Sequence, residues 1–171
     1  MKRRGRGQSL AEFAIVLPVF LMLLFGTIDL GRGIWATDAA THAAAEAARF
    51  TIVHGGSAAT GCPVGPPAAT AIIPSASAAC PYPSPSKQAI KDMATQAAIA
   101  SGAGTEVHVC YGEGCGGATS DTWDTDVPGA TNARGTLITV RVTVHVHLVT
   151  GSLLHIPDFA LTGTSTMVVN H

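Results

Sequence analysis

The chain has 171 residues, enough for one domain of ordinary size with an appendage. Apolar residues make up 47% and charged residues only 12%, half the usual share for a soluble domain, so a wholly soluble globule describes it poorly. The net charge of −1 conceals +4 among the first seven residues (Lys2, Arg3, Arg4 and Arg6) and −5 in the remainder. With no basic patch beyond that leader, nucleic-acid binding has no support.

Phe13 to Ile28, FAIVLPVFLMLLFGTI, carries no charge. Widened to residues 8–30, the stretch is long enough to cross a bilayer as a helix. Positive charge before it and an acidic remainder after it predict a single pass, with the N-terminus cytoplasmic and the C-terminal part exported. A cleaved secretory signal, cut within AATHAAAEAA, fits less well because the apolar region is long and the helical composition continues past the cut. A twin-arginine signal fits worse, since Arg3-Arg4 is followed by Gly-Arg-Gly. A plain signal anchor explains charge and hydropathy, but not a glutamate, Glu12, at the start of the span, where an ionised carboxylate is costly.

Around that glutamate the residues run GQSLAEF: Gly7, four residues, Glu12, then aromatic Phe13, all between a basic leader and an apolar helix. This resembles the processing site of type IV prepilins in the form found in tight-adherence (Tad) systems. The likeness continues through the LP within the span, the exit Asp29-Leu30-Gly31-Arg32 and the end Ala47-Ala48-Arg49-Phe50. Residues 5–53 as a block resemble TadE-like proteins. The resemblance implies cleavage after Gly7 by a prepilin peptidase, with Gln8 as the new N-terminus. It also implies that Glu12 is a subunit-pairing charge that neutralises the ammonium of a neighbouring subunit. The implied partners are the membrane, other pilin-like subunits and the pilus assembly platform.

Pro18 lacks an N–H and clashes with the carbonyl of Ala14, which predicts a helix kink. Asp29 and Arg32, three apart, either pair at the membrane surface or are simply solvated there. Trp35 suits an interfacial position. The segment after it, ATDAATHAAAEAARF, has strong helical composition, with Glu46 and Arg49 again three apart. A helix from Gln8 to Arg49 would be about 63 Å long, which predicts a stalk over residues 31–53 that carries an exported head.

Residues 54–86 are rich in proline and glycine and read as a long loop. Residues 87–171 read as the head. Ser86 can cap a helix through KQAIKDMATQAAIA, with Ile90, Met93, Ala94, Ala97 and Ala98 inward. Strands follow at Thr105–Tyr111, Thr136–Val149 and Phe159–Val169, the last two joined through GSLLHIPD. In the second, Ile138, Val140, Val142, Val144, Val146 and Leu148 share one face, and Thr139, Arg141, Thr143, His145 and His147 the other. The expected fold is α+β: a long N-terminal transmembrane and stalk helix, then a small antiparallel sheet with a packed helix.

The four cysteines lie beyond the span. An even count in Pro/Gly-rich loops suits two disulfides in an oxidising compartment, with Cys62–Cys80 and Cys110–Cys115 preferred among three connectivities. No pair has the short spacing of a zinc site. His145 and His147 lack a third ligand, and Asp121, Asp124 and Asp126 lack the spacing and distal glutamate of a calcium loop. No nucleophile elbow, phosphate loop or dinucleotide motif occurs, so neither an enzyme nor a cofactor is expected. The expectation is a minor pilin or pseudopilin of a Tad-type apparatus at the cell membrane. The alternative is a signal-anchored surface or adhesion module with no pilus role.

Overall fold

A computed structural model describes residues 5–56, 63–66, 87–98, 104–115, 123–154 and 157–170, with side chains described from residue 9 on and not for 152–154. Among the described residues the elements run in the order α1 (Gly5–Val53), α2 (Gln88–Ala98), β1 (Gly104–Tyr111), β2 (Leu137–Val146), α3 (Val149–Leu154) and β3 (Phe159–Val168). The fold is α+β, as its residues predict. The Ser86 cap and the Cys62–Cys80 pair lie outside the described residues.

The strands form an antiparallel sheet in the order β1-β2-β3. Val107, Val109 and Tyr111 of β1 stand opposite Val142, Val140 and Ile138 of β2. On the far side Val142 faces Gly163 and Val144 faces Leu161 of β3. The alternation in β2 therefore places its four valines and its isoleucine on one buried face, as its period of two requires.

That face is covered by α1. Ala36, Ala40, Ala43, Ala44, Ala47 and Ala48 recur at helical spacing and are all at most 1% exposed. The alanine-rich half of α1 does not stand apart from the head; it is the central helix of the head's core. Methyl side chains let the helix backbone sink close to the sheet. At Gly163 a Cβ would collide with the backbone of Ala40 and Thr41, so glycine is needed there for want of space. Helix α2 joins the same layer through Ile90, Ala94 and Ala98, whereas Ala97, expected inward, is exposed and Met93 only half-buried.

The connection through GSLLHIPD is also more structured than expected. β2 stops at Val146, and α3 occupies Val149–Leu154 before β3 begins. Glu46 and Arg49 approach to 3.9 Å on the exposed side of α1, as their spacing suggests.

The acidic loop before β2 protects the outer edge of β1. Asp124 Oδ1 accepts the Val109 N–H at 3.1 Å and Asp126 Oδ1 accepts the Tyr111 N–H at 2.9 Å. Lys87 donates to the Val109 carbonyl at 3.1 Å and pairs with Asp126 at 2.7 Å, and Lys91 pairs with Asp124 at 2.8 Å. An open strand edge invites pairing with other chains, and these side chains occupy it instead. Cys110 and Cys115 are disulfide-bonded across the adjoining turn, as expected for that pair. On the outer sheet face the Arg141 guanidinium lies 4.6 Å from the centre of the buried Trp123 ring.

Burial works to raise the pKa of Asp124, but the Lys91 and Val109 hydrogen bonds and the charges of Lys91 and His108 outweigh it, and the carboxyl titrates below its ordinary value. A depressed carboxylate contributes stability that is present above its unfolded pKa and lost as pH falls through the folded one. Asp124→Asn is therefore expected to destabilise the head at neutral pH. The gap between variant and parent should close as the pH is lowered to about 3, measured by urea unfolding at each pH.

Candidate functional site

Two places on α1 concentrate the candidate residues: the N-terminal end around Gly7 to Phe13, where processing is expected, and the exit from the apolar span around Asp29.

At the first, α1 begins at Gly5, so Gly7 and Gln8 are already in helical backbone. Glu12 is one turn beyond Gln8, on the same side of the helix. Glu12 and Phe13 are exposed, as is every residue from Ser9 to Ile28. An unbroken sleeve of Leu, Ile, Val, Phe and Met facing outward is the reverse of a soluble helix and matches a lipid-bathed one. Pro18 lies within α1, which continues through it.

At the second, the structure corrects the expected interaction of Asp29. Rather than pairing with Arg32 or remaining solvated, the carboxylate is 5% exposed and sits at the N-terminus of α3. Its Oδ1 accepts the Val149 N–H at 2.9 Å, and its Oδ2 accepts the Thr150 N–H at 2.9 Å and the Thr150 hydroxyl at 2.6 Å. The first N–H groups of a helix have no partner within it, and a carboxylate there satisfies them and complements the helix dipole. Asp29 thus caps a helix 120 residues away and ties the head to the last turn of the span. The only signal for this in the sequence is an acid at the end of an apolar run, and nothing local to VTGSLL points to it.

Asp29→Ala is expected to cost about 2 kcal/mol, because it leaves two N–H groups and a hydroxyl without their acceptor. Hydrogen exchange at Val149 and Thr150 should accelerate while exchange in β2 stays unchanged.

The remaining candidates are not brought together. His145 lies 3.8 Å from Glu106, and His147 lies beyond the end of β2, 2.8 Å from Asp158. Asp124 and Asp126 are occupied at the β1 edge, and Asp121 lies outside the described residues. Among the described residues no group of three or more His, Cys, Asp or Glu side chains could hold a metal ion. Asn132 is a structural residue that sequence reasoning missed. It accepts from the Gly56 N–H, donates to the Pro66 carbonyl through its own N–H, and donates to the Val64 carbonyl through its amide, knitting three segments together.

Together these features define a class of protein: a small α+β head built around the outer half of a helix whose inner half is long and apolar enough to cross a membrane, with a mean hydropathy of 2.3 over an 18-residue stretch. Residues 7–49 match the model of a family described as TadE-like protein. The N-terminal segment is thus similar to TadE-like proteins, as its residues imply. No curated protein and no solved structure matches the chain.

Proposed function

We propose that the protein is a minor pilin or pseudopilin that supports assembly of a Tad-type pilus or secretion apparatus. The observation that carries this reading is the TadE-like match over residues 7–49, which includes Gly7, Glu12 and Phe13. The outward-facing apolar sleeve of α1 supports it, because a helix exposed on all sides from Ser9 to Ile28 has surface to offer to lipid and to neighbouring helices alike.

In this reading a prepilin peptidase cuts after Gly7 and leaves Gln8 with a free ammonium. The span lies in the cell membrane with its N-terminus cytoplasmic and the disulfide-bonded head outside. Glu12 then neutralises the N-terminus of an adjacent pilin-like subunit, which offsets the desolvation of both charges and sets the axial offset between subunits. The assembly platform takes up the processed subunit. No side chain is assigned a catalytic task.

Mass spectrometry of the protein isolated from its native membrane tests the reading. A mature chain beginning at Gln8 is the expected result. An intact Met1, or a cut near Ala45, would instead mark a plain anchor or a secreted module.

A further inference from the structure

A half-open groove of about 460 Å³ lies where the head meets the span. Gly26, Leu30 and Gly33 form one wall, at spacings of four and three along α1, and Leu148, Phe159 and Leu161 of the head form the other. The polar groups at its rim are already engaged. Thr37 donates to the Gly33 carbonyl at 3.0 Å, and Asp29 and Thr150 bond to each other. What remains for an occupant is apolar surface, which water does not fill favourably.

We propose that this groove holds one acyl chain of a bilayer phospholipid. Its position argues for that occupant. Gly26 and Leu30 belong to the membrane-spanning stretch, so the groove is continuous with the lipid-facing sleeve below it. From Gly26 to Thr37 it runs about 16 Å along the helix axis. An extended hydrocarbon chain with van der Waals contact to both walls, about 5 Å across, needs roughly 300 Å³. Ile34 on the helix side and Phe159 on the head side are both lining residues and both exposed. The head then rests on the bilayer through a lipid, whether or not the subunit ever enters a filament.

The test uses the full chain in nanodiscs of phosphatidylethanolamine and phosphatidylglycerol, doped with phosphatidylcholine bearing a mid-chain diazirine. After photolysis, mass spectrometry should place adducts on Leu148 and Leu161 of the head as well as on the span. Gly33→Phe fills the groove and should lower the head adducts by about tenfold while leaving the span adducts unchanged. Gly26→Leu, at the lower end, should do the same. A Cβ at either glycine meets nothing within 4 Å, so both variants are expected to fold, which unchanged thermal unfolding would verify. Absence of head adducts, or head adducts indifferent to both substitutions in folded protein, would overturn the proposal. So would quantitative disulfide trapping of Gly33→Cys between two chains, which would place a second copy in the groove.

Discussion

Gly163→Val is expected to destabilise the head by about 3 kcal/mol, lowering its thermal midpoint by roughly 10 °C in detergent. The valine side chain would start from a Cβ already inside the contact distance of the Ala40 carbonyl and the Thr41 amide, both part of helix backbone. A flexible side chain could turn away, but a helix turn bonded at both ends cannot. The helix would have to lift from β3, and the alanines beside Ala40 would lose contact with the sheet along with it. These alanines have no reach, so a displacement of a fraction of an ångström forfeits much of their dispersion energy. Gly163→Ala should show the same effect in weaker form, whereas Thr164→Ala, one residue away on the exposed face, should leave the midpoint almost unchanged. A Gly163→Val protein as stable as its parent would show that α1 and the sheet do not pack as described.

Glu12→Ala is expected to abolish assembly while leaving membrane insertion intact. Removing a carboxylate from the start of an apolar helix makes insertion easier by about 2–3 kcal/mol, so lost assembly could not be ascribed to failed insertion. Glu12→Gln, which keeps the size and loses the charge, should behave like the alanine variant, and Glu12→Asp should retain partial function. Membrane fractionation, the mass of the mature N-terminus and the yield of sheared filaments separate insertion, processing and assembly. Normal filaments from Glu12→Ala would remove Glu12 from the proposed role, whatever its processing state.

Much of the fold was legible because it rests on periods. The two-residue alternation in Thr136–Val149 placed the β2 core face correctly, and the apolar run from Phe13 to Ile28 placed the span. The ends of elements were less legible. β2 gives way at Val146 because the chain turns to present Val149 and Thr150 to Asp29, a partner 120 residues distant. Asp124 and Asp126 looked like a solvated or metal-holding loop, since loop composition does not reveal that a strand edge with free N–H groups lies beside it. The alanines from Ala36 to Ala48 were read for their helix propensity. Their burial depended on a glycine more than a hundred residues later.

By itself, the sequence determined the local and the one-dimensional: a basic N-terminal cluster, a span of membrane length, a TadE-like stretch containing Gly7 and Glu12, a strand with a buried face, and cysteines suited to an oxidising compartment. Propensity, hydropathy and spacing act over a few residues, and they can be read without knowing what lies across the core. Only the tertiary structure decided that the outer half of α1 is the core helix of the head. It also decided that Asp29 caps α3 and that an apolar groove opens beside the span. Each of these rests on two segments far apart in the chain meeting at van der Waals or hydrogen-bond distance, and neither segment carries the mark of the other.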